Sequence, residues 1–444
     1  MIYKKSTIGD ECKVGDGAHA SIPRQDSGLL YLSAKNFTKN GLSLEDVSYI
    51  SESDFSKYFN PNSKALTKPR VGDLILGIIG AGLGVPYLIR SRDKEFGVSS
   101  SVAIIRAANE DLNPQYLYYW MIGPYFQKQL KNIQSGSAQG FLSLEMIRSL
   151  HLLMPPLTIQ TKIASILSAY DELIENNKQR IKLLEEMAEE IYEEWFVRFR
   201  FPGYESTRFL NEQGKEVPHV TPGALPEGWE KLEILNAFEI TGGGTPSTIV
   251  SDFWDNGIIN WFSPTDITGS ESIFLNKSSQ QITELGLRKS AAKIFPENSV
   301  MMTSRATIGA IGINLTKACT NQGFITCIPN ECFSYIYIYE WIKSNKSLIE
   351  NNSSGATFKE ISRGVFKKMK IAKPNLTISK KHFNLIEPMF EEIRILSQKN
   401  RLLQQTRDLL LPRLISGKLS VSHLVEDELE PLAMAAEPEA IYGK

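Results

Sequence analysis

The side chains that do most protein chemistry are thinly spread in this sequence. Five histidines, His19, His151, His219, His382 and His423, are scattered, and none has the spacing of HExxH, in which two imidazoles one helical turn apart share a metal. Four cysteines, Cys12, Cys319, Cys327 and Cys332, form no CxxC pair and no regular framework. They read as free thiols in a reducing cytoplasm. Gly80-Ala81-Gly82-Leu83-Gly84 invites a phosphate-loop reading, but its spacing is not GxGxxG and Pro86 falls where a helix would begin. A turn between strands fits better. There is no Gly-Lys-Ser/Thr phosphate loop for ATP hydrolysis, no Asn/Asp-Pro-Pro-Tyr/Phe amino-methyltransferase motif, and no local Ser, His and Asp signature. What remains is a chain equipped to bind rather than to react.

Polar side chains that bind must be held by a scaffold, and the scaffold is repeated. Ser135-Gly136-Ser137-Ala138-Gln139-Gly140-Phe141 is followed by Met154-Pro155-Pro156, and Ser354-Gly355-Ala356-Thr357-Phe358-Lys359 by Lys373-Pro374. An offset of 219 carries Gly136 to Gly355 and Pro155 to Pro374. Upstream, Val71-Gly72-Asp73-Leu74-Ile75-Leu76 has its counterpart in Glu297-Asn298-Ser299-Val300-Met301-Met302. Each is followed by a glycine-spaced apolar stretch, a small-polar cluster and a strand. A period this long is a domain duplication rather than a solenoid. Each copy mixes short β-rich runs, such as Ile258-Ile259-Asn260-Trp261-Phe262, with a helix, predicted over Pro114 to Leu130 and around Tyr335 to Ile349. Trp261 and Phe324 are expected in the core. The fold class is α+β, with an internal pseudo-two-fold repeat. Residues 200–228, rich in Gly, Pro and charge, have no periodic apolar face and read as the link between halves.

After each copy comes a long helix. Ile163, Leu167, Tyr170, Ile174, Asn177, Ile181, Leu184, Ala188, Ile191 and Trp195 follow spacings of four and three over more than four heptads, the pattern of a coiled coil. The offset of 219 places a second seam at His382, Ile386, Met389, Ile393, Leu396, Asn400, Leu403, Arg407, Leu410 and Leu414, with His382 and Arg407 weakening its ends. Each seam has one central asparagine. Antiparallel alignment brings Asn177 opposite Asn400, and a buried asparagine that meets another can fix register. An intramolecular antiparallel coiled coil is predicted. About 33 residues at ~1.5 Å each make a rod of about 50 Å, expected to hold the two globular copies at opposite ends.

These features resemble the specificity subunit of type I restriction–modification systems. The similarity rests on Thr241-Gly242-Gly243-Gly244-Thr245-Pro246-Ser247, Phe253-Trp254-Asp255 and Ile259 through Ile267 as the opening of a target recognition domain. Ala306-Thr307-Ile308-Gly309 and Thr320-Asn321-Gln322-Gly323-Phe324 are similar to its middle. Met154-Pro155-Pro156-Leu157 with Gln160, Ile163, Ile166, Leu167 and Asp171 is similar to its helix entry. The junction Trp195 through Phe199 with Phe201-Pro202-Gly203, the start Pro226-Glu227-Gly228-Trp229, and the ending Leu411 through Leu419 complete the set, in order, over residues 1–425. The first copy departs from the pattern, with Asp16-Gly17-Ala18-His19 where the family shows Gly-Gly-Thr-Pro.

The resemblance implies two mixed α/β target recognition domains (1–155 and 227–375) separated by two coiled-coil helices (156–200 and 376–420), with a linker at 201–226. An acidic tail, 421–444, is expected to be disordered. The implied function is to read double-stranded DNA at a split target, without catalysis and with no cofactor bound by this chain. Two methyltransferase subunits using S-adenosylmethionine would dock on it, and a motor–nuclease subunit would join for cleavage, all in the cytoplasm and away from any membrane. Charge is compatible with shared binding. The whole chain carries −1, but the tail beyond Val425 holds −5, leaving +4 over residues 1–425, well short of the excess of a lone DNA-binding module. Candidate DNA contacts are Lys35, Asn36, Arg70 and Gln139 in the first copy, and Ser304, Arg305, Gln322, Thr357 and Lys359 in the second. Cations suit phosphates, and amides suit base edges. Two other readings stand beside this one: a stand-alone DNA-modifying enzyme with an unrecognised active site, and a purely architectural coiled-coil protein.

Overall fold

The computed structural model describes residues 3–39, 41–60, 66–135, 140–355 and 359–422. The chain divides into two compact units, Met1–Leu173 with Leu403–Lys444, and Ile174–Leu402.

In the first unit an antiparallel sheet runs in the order Cys12–Asp16, Val102–Ala107, Leu74–Gly77, Pro86–Leu88. A second sheet places Leu29–Leu32 between Ser48–Ile50, antiparallel, and Phe96–Val98, parallel. Lys4–Thr7 pairs with His151–Met154. The second unit repeats these three pairings. Its main sheet begins Glu239–Gly242, Phe324–Ile328, Val300–Thr303, Ile311–Asn314. Ile259–Phe262 lies between antiparallel Gln280–Ile282 and parallel Ala318–Thr320, and Glu230–Glu233 pairs with Lys370–Lys373. Among the described residues the main sheet adds one strand, Phe274–Leu275, at its edge. The central strands Leu74–Gly77 and Val300–Thr303 are buried at every position, as strands covered on both faces must be. Trp261 and Phe324 lie in the core as expected.

The predicted helix over Pro114 to Leu130 is two helices, Pro114–Ile122 and Pro124–Ser135. Gly123, at φ −69 and ψ 156, is extended, because the ring of a following proline disfavours helical geometry in the residue before it. The second copy breaks at the same place, with Asn345 between Tyr335–Ser344 and Lys346–Asn351. The stretch read as the link between halves carries short strands of its own. Phe209–Leu210 pairs with Glu216–Val217 and with Leu225–Pro226, and Phe201 stacks on Trp229 with ring centroids 5.3 Å apart. Two-residue strands leave no periodicity to detect.

The long helices span Leu157–Tyr192 and Leu376–Ile415. In the second unit their partners run in opposite directions. Asn177 Nδ2 donates to Asn400 Oδ1 at 2.8 Å, Arg180 pairs with Glu392, and Phe196 meets His382 edge to face. In the first unit Arg407 reaches Asp171 at 2.6 Å, while Ile159, Ile163 and Leu167 share a core with Leu411 and Leu414. Ile163, Leu167, Ile174, Ala188, Trp195, Ile386, Ile393, Leu396, Asn400 and Leu414 are buried, and Tyr170, Asn177, Ile181, Leu184, Ile191, Met389, Leu403 and Leu410 are half-buried.

Two expectations about the seam ends need correction. His382 is buried between Trp195 and Phe196 and is part of the core. Arg407 is held by Asp171 and Asp408, so its charge is paired. Tyr192, Phe196 and Phe390 are buried although they lie off the heptad positions. Beyond Tyr192 the backbone widens into a π-type turn over Glu193–Val197, which rotates the apolar face away from a strict seven-residue repeat.

Candidate nucleic-acid interface

In the second unit, strand Glu239–Gly242 leads into the glycine-rich loop. A side chain on Gly243 would put its Cβ 2.0 Å from the Asn321 carbonyl oxygen and 2.1 Å from that of Thr320. Only glycine permits this approach. The contact sets the next residues. Trp261 Nε1 donates to the Gly244 carbonyl at 2.9 Å, and Thr245 Oγ1 donates to Gln322 Oε1 at 2.7 Å. Two more segments join. The Ser304 amide donates to the Gly323 carbonyl at 2.8 Å, the Ile361 amide to the Ser304 carbonyl at 2.9 Å, and Arg305 forms a β-bridge with Glu360. The turn after Arg305 is tight, with Ala306 at φ 61 and Gly309 at φ 79. Loops 243–247, 304–309 and 321–323 and the strand near 360 therefore converge.

Of the residues singled out in this copy, Gln322 and Lys359 are exposed, Arg305 is half-buried, and Ser304 is buried. Ser304 therefore holds the turn that presents Arg305. Thr357 lies outside the described residues. Beside this cluster, Ser263 and Asp266 form a capping box, with the Ser263 amide donating to Asp266 Oδ2 and the Ser279 amide to Oδ1, each at 2.7 Å. Burial works to raise the Asp266 carboxyl, yet its bonds from Ser263 and Ser279 hold it below the usual carboxylate range.

The first unit builds the same cluster from other residues. Gly17 is as confined as Gly243: its Cβ would lie 2.2 Å from the Val98 carbonyl oxygen and 2.3 Å from that of Ser99. The altered opening thus keeps the glycine that the backbone requires. Asn36 stands where Asp266 stands. Its Oδ1 accepts from the Ser33 amide at 3.0 Å, and its Nδ2 donates to the Ser43 and Asp46 carbonyls at 3.2 and 3.0 Å. At 3% exposure with its amide fully engaged, Asn36 positions the loop and cannot also pair with a base. Lys35 beside it is exposed and reaches Asp46 at 2.5 Å. Arg70 is exposed on a turn pinned by Asp73, which receives the Arg70 amide at 2.8 Å and two bonds from Arg106 at 2.7 Å each. Gln139 lies outside the described residues. Sequence reasoning missed the structural equivalents: Ile79, bridged to Phe141, occupies the place of Arg305 bridged to Glu360. The strand spacing 74–77 against 300–303 could have found it.

Burial pushes the Cys12 and Cys319 thiols up to about 12, which keeps them protonated and unreactive at neutral pH. Among the described residues no group of three His, Cys, Asp or Glu side chains is placed to hold a metal ion, and no helix is long and apolar enough to cross a membrane.

The duplication seen in the strands has a counterpart among known proteins. The sequence model of the type I restriction modification DNA specificity domain matches twice, at residues 9–186 and 226–405. The type I restriction enzyme MjaIX specificity subunit of Methanocaldococcus jannaschii is 29% identical over 185 residues, which cover 41% of this chain and 43% of that protein. The type I restriction enzyme HindI specificity subunit of Haemophilus influenzae is 24% identical over 410 residues, covering 80% of this chain and 88% of the relative. Among solved structures, the S subunit of a type I restriction–modification system from M. genitalium aligns with a TM-score of 0.56 at 13% identity, over 93% of this chain and 96% of its own, a likeness of fold. With both halves matched by one domain and both built on one strand plan, the chain belongs to the type I restriction–modification DNA specificity family.

Proposed function

We propose that this chain is the non-catalytic DNA-recognition subunit of a type I restriction–modification complex, and that each copy reads one half of a bipartite double-stranded target. One observation carries the reading most: a common backbone plan presents different exposed side chains at equivalent loop positions in the two copies, as a reader of an asymmetric target requires. The recognition domains are residues 1–155 and 227–375. Residues 156–200 and 376–420 form an antiparallel coiled coil, a pairing supported by the bond between Asn177 and Asn400, and act as spacer and docking platform. Residues 201–226 link the halves, and the acidic residues 421–444 lie outside recognition. Lys35, Arg70 and Lys359 contact phosphates, while Arg305 and Gln322 face base edges. Gln139 and Thr357 serve the same end. The partners are two methyltransferase subunits, which bring S-adenosylmethionine, and a motor–nuclease subunit, assembled in the cytoplasm.

The test is to express the chain with its methyltransferase partner and map methylated bases across a genome. A bipartite motif with a fixed gap is expected. Methylation in one continuous motif, or none that depends on this chain, would overturn the reading.

A further inference from the structure

Strands Leu74–Gly77 and Val300–Thr303 hold equivalent places in the two copies, and the residues that follow them differ in chemistry. In the second copy Arg305 leaves a buried strand, pairs across a bridge with Glu360, and is followed by Ala306 at φ 61. In the first copy Ile79 leaves the equivalent strand, pairs across a bridge with Phe141, and is followed by Gly80 at φ 74. The framework bonds are the same. The Ile78 amide donates to the Ser101 carbonyl at 3.0 Å and the Leu142 amide to the Ile78 carbonyl at 2.9 Å, matching Ser304 to Gly323 and Ile361 to Ser304. A pair of opposite charges has been replaced by a pair of apolar side chains.

These side chains are not part of the core. Ile79 is 43% exposed and Phe141 37%. A single exposed apolar residue needs no explanation, but here two are joined across a bridge, at the start of a turn that carries Gly80, Gly82 and Gly84. The turn also sits directly on the candidate phosphate-binding loop. A Cβ on Gly82 would lie 1.9 Å from the Ala34 carbonyl oxygen, and Lys35 is the next residue. An apolar tip beside a cation suits a duplex approached by its groove, with the cation on the backbone and the apolar atoms against a base edge. The apolar feature of a base edge in the major groove is the 5-methyl group of thymine.

We infer that Ile79 and Phe141 form an apolar contact that reads the 5-methyl group of one thymine in the half-site of the first copy, at the place where the second copy uses Arg305. This rests on the reading of the chain as a DNA-recognition subunit. It makes Ile79 and Phe141 specificity-determining residues and gives the two half-sites different chemistry at equivalent positions.

The experiment uses the complex of the chain with its methyltransferase partner and a duplex carrying the mapped motif. Each thymine of each half-site is replaced in turn by deoxyuridine, which lacks only the methyl group, and binding is measured by competition. Burying one methyl is worth about fourfold in affinity. Wild-type complex should lose about fourfold at a single thymine of one half-site, and an Ile79→Ser, Phe141→Ser variant should be indifferent to the same replacement while still discriminating the other half-site. No sensitive thymine, or sensitivity that persists in the variant, overturns the inference. The wild-type arm needs no variant to fold. If wild-type complex shows no sequence preference at all, the recognition reading itself has failed, a result distinct from specific binding that ignores the methyl group.

Discussion

Two buried titratable groups in the second unit give its stability a defined pH profile. Glu340, on helix Tyr335–Ser344, is 1% exposed and neither carboxylate oxygen has a hydrogen-bond partner. Burial lifts it to about 8, Lys343 opposes the rise, and the carboxylates of Glu189, Glu185 and Glu193 add to it. His382 is also 1% exposed, lies against Trp195 and Phe196 with ring centroids 5.6 and 4.7 Å away, and has no partner at Nε2. Burial pushes it down to about 3.

Each group makes the folded and unfolded states bind different numbers of protons. Glu340 holds a proton in the folded state that the unfolded chain releases, so its contribution is complete below about 4.5 and is lost as pH rises to about 8. His382 is neutral in the folded state where the unfolded chain is protonated, so its contribution is complete above about 6.5 and is lost as pH falls to about 3. Each slope is ~1.4 kcal/mol per pH unit. Between about 4.5 and 6.5 they cancel, which predicts a plateau. Stability should then fall by about 2 kcal/mol on each side, between 6.5 and 8 from Glu340 and between 4.5 and 3 from His382.

The perturbation is Glu340→Gln, and the quantity to read is the pH slope. A buried glutamine adds a pH-independent cost that shifts every midpoint equally. Because the chain has two units, a single unfolding free energy requires a local probe. Of the six tryptophans only Trp120 lies in the first unit, so Trp120→Phe makes tryptophan fluorescence a report on the second. Urea titrations from pH 4 to 9 should show the alkaline fall in the Trp120→Phe background and its absence when Glu340→Gln is added. An equal fall in both would refute the assignment to Glu340.

Four further outcomes follow from named contacts. Asn177→Leu or Asn400→Leu alone should cost about 1–3 kcal/mol, because the remaining amide is left without its partner, and the double replacement should recover part of that loss; urea denaturation of the single and double variants measures the coupling. Arg407→Met should destabilise the first unit by about 1–3 kcal/mol, since Asp171, which also accepts from the Tyr119 hydroxyl at 2.7 Å, loses its cation; native-state hydrogen exchange at the amides of helix Pro114–Ile122 reports it. Gly243→Ala should cost about 1–3 kcal/mol and degrade methylation specificity in one half-site only, because its Cβ would strike the Thr320 and Asn321 carbonyls. Asn36→Ala should lower stability by about 1–2 kcal/mol, whereas Lys35→Ala should leave stability unchanged and reduce the salt dependence of DNA binding by about one unit of slope.

Much of this architecture was legible because it is written in spacing. The offset of 219 located the second long helix, and antiparallel alignment of the two seam asparagines brought Asn177 opposite Asn400, since a heptad pattern and a duplication both survive divergence of side chains. Less legible were features set by tertiary geometry. The break at Gly123 followed from Pro124 and could have been read; the break at Asn345 had no such signal. Arg407 looked like a flaw in the seam because its partner Asp171 is more than 230 residues away in sequence. The base-reading role expected of Asn36 failed for a related reason. Its residue type suits adenine, but in the fold it occupies the capping position that Asp266 fills in the other copy. Type alone cannot tell an amide that faces solvent from one that closes its own loop.

That equivalence also explains how the copies can diverge where they do. Positions whose backbone approaches another strand are fixed by sterics: Gly17 and Gly243 must both be glycine, although the residues around them differ completely. Positions that cap a turn accept any side chain able to receive the same amide, so Asn36 and Asp266 exchange without moving the backbone. Side chains at the neighbouring positions on those turns neither meet a backbone wall nor receive the capping amide, so they are free of both constraints. Ile79 and Arg305 are such a pair, and so are Lys35 and Thr265. Variation is therefore channelled to the side chains that a ligand would meet, while the loops that present them keep one geometry. A duplicated reader built this way can acquire a new half-site by exchanging exposed residues at no cost to its core.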